Sequence, residues 1–241
     1  MQNHSFDIRG SHFGFSATRI GDLGASEYTL VSIAADMSTS VGGFERDIER
    51  CIGEVVVACR QAPRADNLML RTLAFNHSLK ELHGFKPLTA LSAQTYANAL
   101  SAGGSTALFD AAVSSVGAQR QYAEQLTRAG FDVNGIAIVI TDGCDNASSA
   151  RAHDVNDIVK SALADEALES LLTILVGVNI ASPDVSTALK QLEKDGGFDR
   201  YIELDSADAA TLAKLAAFVT RSISLQSLAL GRGSGSIKLT F

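Results

Sequence analysis

Hydrophobic positions along the chain switch repeatedly between two periods. The stretch YTLVSIAA from Tyr28 is an almost unbroken apolar run. Over about residues 43 to 61, Phe44, Ile48, Ile52, Val55 and Cys59 then recur at steps of three or four, which is the spacing of one helix face. That is one βα unit. NLMLRTLAFN and the more polar, alternating HSLKELHGF follow closely enough to form a hairpin, and the polarity of the second predicts a strand at the edge of a sheet. A long helix is predicted over about residues 106 to 129. GIAIVIT is then a continuous apolar run of the kind covered on both faces. Helices over about 153 to 167, 183 to 194 and 207 to 224 alternate with the strands LLTILVGVN and RYIEL. Alternation of this kind predicts an α/β fold: a doubly wound, mostly parallel central sheet with one antiparallel edge strand and helices on both faces.

The ends depart from that rhythm. HFGFSATRI places Phe13, Phe15 and Ala17 on one face, and SIKLTF does the same with Ile237, Leu239 and Phe241 beyond the linker-like GRGSGS. Both read as strands of a small accessory sheet, paired within the chain or with another protomer. The expected organisation is an N-terminal extension over 1–26, one α/β domain over 27–226, and a hinge with a C-terminal strand over 227–241.

Composition narrows the function. The 241 residues are 46% hydrophobic and 20% charged, as in ordinary globular chains. A net charge of −7 with a sequence pI near 5.2, and no cluster of Lys and Arg, argues against nucleic acid as a partner. Cys51, Cys59 and Cys144 form no CxxC or Cys/His cluster, so neither a disulfide framework nor a zinc site is indicated, and Cys51 and Cys59 fall on core positions of a helix. His77 and His83 flank the predicted edge strand and are expected to be solvated. With no leader pattern and no run of membrane-spanning length, the chain is expected to be cytoplasmic, with no membrane partner.

The chemistry gathers in three loops. Ligands of open parallel sheets bind outside the carboxyl ends of the strands. Three segments predicted to meet there carry oxygen side chains: Asp36, Ser38 and Ser40 of ADMSTS; Gly103-Gly104-Ser105-Thr106 ahead of the long helix; and Thr141-Asp142-Gly143 after GIAIVI. Asp and Ser at a helix start also serve as caps, so one such loop alone says little. The three together, in this order, resemble the von Willebrand factor type A family and its metal-ion-dependent adhesion site, over about residues 27 to 226. The resemblance implies that Ser38, Ser40 and Thr106 give hydroxyl ligands to a divalent cation, with Asp36 and Asp142 reaching it directly or through water. Two features differ from the common pattern. Thr39 stands where many members have Gly, and in DGCDNAS the residues Asp145 and Asn146 read as turn and cap residues of the next helix rather than ligands.

A hard, oxygen-only donor set suits Mg²⁺, with Mn²⁺ or Ca²⁺ as alternatives. Such a site leaves a coordination position open to an Asp or Glu of a protein partner, so the expected output is binding and not catalysis. The resemblance further implies settings beside a MoxR-type AAA+ ATPase or in stress and tellurite-resistance systems. Two other classes compete. A structural subunit would use the fold as scaffold and self-associate through its terminal strands. A metal-dependent phosphoryl-transfer enzyme would need a second acid where Ser38 stands, and GGST lacks the lysine of a P-loop.

Overall fold

The computed structural model describes residues 3–164, 166–180 and 182–230. Among them the chain forms strands β1 (Asn3–Asp7), β2 (Gly14–Thr18), β3 (Glu27–Asp36), β4 (Leu68–Phe75), β5 (Leu79–Pro87), β6 (Asp132–Thr141), β7 (Ser170–Val178) and β8 (Arg200–Leu204). The helices are α1 (Glu45–Arg60), α2 (Leu108–Arg128), α3 (Ala152–Ala164), α4 (Pro183–Asp195) and α5 (Ala209–Leu230). All the strands join one sheet in the order β1-β2-β5-β4-β3-β6-β7-β8. β4, β3, β6, β7 and β8 run parallel, and the β4–β5 hairpin is antiparallel, as its short polar connection requires.

The continuous apolar strands are buried on both faces. Val31, Ile33 and Ala35 of β3 point to one side, against Ile48, Ile52 and Val55 of α1 and Leu212, Leu215 and Val219 of α5. Leu30 points to the other side, where Val116, Tyr122 and Leu126 of α2 cover it. Cys51 and Cys59 lie in the first of these cores, where burial pushes both thiols up, Cys51 to about 12 and Cys59 to about 11. Neither is a reactive thiolate near neutral pH.

The antiparallel side extends further than the sequence pattern places it. β5 is not the outermost strand: β2, from HFGFSATRI, lies against it in parallel, and β1 closes the row antiparallel to β2. The N-terminal strand therefore continues the main sheet and does not build a separate one. The proposed C-terminal strand, SIKLTF, lies outside the described residues.

The reason β5 can be covered is that its polar side chains find partners inside. Glu81 accepts a hydrogen bond from Arg71 Nε at 2.8 Å, and from the Ser16 backbone N–H at 3.0 Å and hydroxyl at 2.7 Å across to β2. Arg71 is 1% exposed and also donates to the Ser114 carbonyl and hydroxyl on α2, both at 3.2 Å. His83 is buried rather than solvated: Nδ1 lies 2.9 Å from the Gly84 carbonyl and Nε2 lies 2.8 Å from the Tyr96 hydroxyl. With the first nitrogen donating and the second accepting, the ring is neutral, and burial holds its pKa below the usual histidine value. Gly84 makes the close approach possible, since a Cβ there would lie 1.8 Å from the Ser16 carbonyl oxygen.

Candidate functional site

At the carboxyl end of β3 the chain leaves the sheet through 37–44, and at the end of the adjacent β6 it leaves through 142–151. The neighbouring strands thus deliver Asp36 and Thr141 side by side. Asp36 is fully buried. Its Oδ1 accepts the Ser38 backbone N–H at 2.7 Å, an Asx-type turn that folds the loop back, and its Oδ2 accepts the Thr141 hydroxyl at 2.6 Å. From there a chain of oxygens runs outward. Ser38 Oγ lies 3.1 Å from Ser40 Oγ, and Ser40 Oγ donates to Asp142 Oδ1 at 2.9 Å. Ser38 and Asp142 are buried, whereas Ser40 is exposed and opens the cluster to solvent.

Thr106, also buried, is brought in by the loop ahead of α2. The Thr39 N–H and hydroxyl both donate to the Gly104 carbonyl, at 3.0 and 3.1 Å, and Gly103 N–H donates to the Met37 carbonyl at 2.8 Å. Gly104 has φ +84°, a conformation that favours glycine, and its α-carbon face lies against the His77 ring, where a Cβ would meet Nδ1 at 2.4 Å. On its other side Thr106 is held by the segment after Asp142. Its N–H donates to Asn146 Oδ1 at 2.7 Å, and its carbonyl accepts the N–H groups of Asn146 and Ala147 at 2.9 and 3.1 Å.

The expectation for Asp145 and Asn146 is thus corrected in one respect. Asp145 serves the start of α2 and not the following α3, and Asn146 holds Thr106 in the loop ahead of α2. Asp145 Oδ1 accepts the Phe109 N–H at 3.3 Å in the first turn of α2, and Asp110 returns the contact by accepting the N–H groups of Ser149 and Ala150 at 3.0 and 2.9 Å. Capping is a local signal in sequence; the helix being capped lies 36 residues upstream. Thr141, which orients Asp36, was visible only as part of the Thr-Asp-Gly turn, and the role of its hydroxyl depends on strand pairing.

Electrostatically the cluster holds too much negative charge for its surroundings. Burial pushes the Asp36 carboxyl up to about 6 against the opposing hydrogen bonds from Thr141 and Ser38, with the Asp142 carboxylate adding a smaller push. Asp142 is raised as well, again chiefly by burial. Among the described residues neither carboxylate has a Lys, Arg or His ion-pair partner. No group of three or more His, Cys, Asp or Glu side chains there is arranged to hold a metal. Any cation at this edge would therefore depend on hydroxyl oxygens alongside the two carboxylates, and the donor set fits a small, hard divalent ion better than a thiophilic one.

No protein-family model and no curated protein matches the sequence. Solved structures do match it in fold. The PilB minor pilin from Streptococcus sanguinis superposes with a TM-score of 0.58 at 12% identity, over 83% of this chain and 62% of that one. The open pilus adhesin SpaC from Lactobacillus rhamnosus GG gives 0.58 at 12% identity, over 85% and 31%. Proximal thread matrix protein 1 from the mussel byssus, in the form described as having a zinc-occupied MIDAS motif, gives 0.53 at 15% identity, over 84% and 46%. The chain thus spans between about a third and about two thirds of the length of these proteins. The fold is of the von Willebrand factor type A kind. Among the described residues no helix is long and apolar enough to cross a membrane.

Proposed function

We propose that the chain is a von Willebrand factor type A module that binds a protein partner through a divalent cation, Mg²⁺ in the first instance, held at the carboxyl edge of the sheet. One observation carries the reading. Two buried carboxylates without a cationic partner, Asp36 and Asp142, are linked by the serine hydroxyls of one loop, beside a second loop that ends in Thr106. A dication at this point offsets the burial that raises both carboxyls and the smaller push of Asp142 on Asp36. Ser38, Ser40 and Thr106 are the hydroxyl ligands in this reading. Asp36, whose two oxygens already accept hydrogen bonds from Ser38 and Thr141, acts through water.

Two protein carboxylates only balance the dication, so a third carboxylate, an Asp or Glu of the partner, is accepted at the position Ser40 leaves open to solvent. Binding is the output. The hydroxyls around the site cannot protonate a leaving group at neutral pH, and the same arrangement serves an adaptor beside an AAA+ ATPase of the MoxR type. Titration calorimetry of metal-stripped protein tests the reading. One Mg²⁺ site is expected for the wild type and none for Asp36→Ala; equal heats for the two proteins reject it.

A further inference from the structure

The candidate site has a further support besides the loops that carry its oxygens. β4 ends at Phe75, opposite Asp36 in the parallel register, and Asn76, His77 and Ser78 then turn the chain into β5. Asn76 shapes that turn with one atom. Its Oδ1 accepts the Ser78 N–H at 3.0 Å and the Ser78 hydroxyl at 3.2 Å, an Asx-type turn, while the Asn76 N–H donates to the Ser78 carbonyl at 3.0 Å. A backbone N–H can only donate, so this contact decides which end of the Asn76 amide is oxygen and leaves Nδ2 free to face outward from the turn. There Nδ2 donates to the Gly103 carbonyl at 2.7 Å, and the Asn76 backbone carbonyl accepts the Ala107 N–H at 2.7 Å. These two bonds bracket residues 104–106. One residue back, the Phe75 carbonyl accepts the Met37 N–H at 2.6 Å, and the Met37 carbonyl accepts the Gly103 N–H at 2.8 Å. The turn is thus joined to the first site loop just after Asp36 and to the second on both sides of Thr106.

We propose that Asn76 is a positioning residue of the cation site: its Nδ2 holds Gly103, and with it the Thr106 hydroxyl, in place, so cation affinity is governed from the β4–β5 turn. The inference rests on the metal-dependent reading above. Asn76 is not a ligand in it. The turn closes on itself through Ser78, so the bond to Gly103 adds nothing to the hairpin and acts only on the loop ahead of α2.

Asn76→Asp tests this by the sign of its effect. The carboxylate keeps the oxygen that Ser78 needs but turns a second oxygen, in place of a donor, towards the Gly103 carbonyl. Charge alone would tighten Mg²⁺ binding about fourfold, taking a unit charge and a dication about 10 Å apart in water. Lost positioning should instead weaken it about tenfold, the lower end of what removing a ligand-orienting group costs. Asn76→Ala, which adds no charge, should weaken binding in the same way, and Ser78→Ala should leave it unchanged, all by calorimetry. In metal-free protein, amide exchange at Ala107 read by NMR should quicken about tenfold in Asn76→Asp and stay as in the wild type in Ser78→Ala. Unchanged Ala107 exchange, or equal or tighter Mg²⁺ binding by Asn76→Asp, overturns this inference alone. Absence of Mg²⁺ binding by the wild type overturns it together with the metal-dependent reading.

Discussion

At the scale of single residues, the decisive feature is a carboxyl that the fold keeps out of water with no cation beside it. Asp36 titrates at about 6 in the metal-free fold, against 3.8 for a free side chain. Because the folded value is raised, its contribution to stability is fully present below about pH 4 and is lost as pH rises through about 6. A gap of about two units is worth ~3 kcal/mol at about 1.4 kcal/mol per unit. His83 works in the opposite direction: its folded value is depressed, so stability is lost as pH falls below the free imidazole value. Comparing wild type with Asp36→Asn separates the two, since both proteins keep His83. Urea unfolding of metal-stripped protein should show the wild type losing about 3 kcal/mol relative to Asp36→Asn between about pH 4 and pH 7. Mg²⁺ should restore the difference at the upper end and not at the lower. Parallel pH profiles for the two proteins would count against a strained carboxylate at this position.

At the scale of elements, the site is an agreement between loops. The 103–106 turn is fixed to the 37–40 loop through Thr39 and Gly104, and to the 145–147 segment through Thr106 and Asn146. The segment after β6 also caps α2 through Asp145, so the helix start and the Asp142 loop move as one unit. Asn146→Ala removes the acceptor for the Thr106 N–H and should cost about 1 kcal/mol of stability. It should also weaken Mg²⁺ binding about tenfold, as loss of a group that orients a ligand does; Asn146→Asp, which keeps the oxygen, should restore most of it. Ser182 caps α4 by accepting the Val185 N–H at 3.3 Å, on a different helix. Ser182→Ala is therefore the control, with a similar loss of stability and unchanged Mg²⁺ affinity by calorimetry. Equal effects of both variants on Mg²⁺ would reduce Asn146 to a general stabiliser. Asp36, Ser38, Ser40, Thr106 and Asp142 were legible in the sequence because each sits in a short motif at a strand end or ahead of a helix. The partners of Asn146, Asp145 and Thr141 were not, because each acts on a residue at least 36 positions away that only the folded sheet brings near.

At the scale of the whole molecule, the parallel half of the sheet was readable from continuous apolar strands, and the far antiparallel side was not. Glu81 and His83 carry the same polar pattern whether solvated or buried. What decides is Arg71, paired to Glu81 beneath β2, and Gly84, whose missing side chain admits the Ser16 backbone. If Gly84 is the notch on which β2 docks, Gly84→Ala should act by expelling the N-terminal hairpin. Phe15 of β2 is 3% exposed and stacks on Phe6, with Phe85 edge-on beneath it, so its loss from the core alone costs about 3–5 kcal/mol. Removing residues 1–19 should cost at least as much and leave the β5 edge free to pair with another copy, visible as association in sedimentation. The two changes should not add. In the truncated chain Gly84→Ala no longer meets the Ser16 backbone and should be close to neutral by urea unfolding, whereas in the full chain it should be severe. Additive losses would mean that Gly84 serves β5 itself and that the hairpin is held from elsewhere, through Arg71 and the contacts of Ile8 with α2.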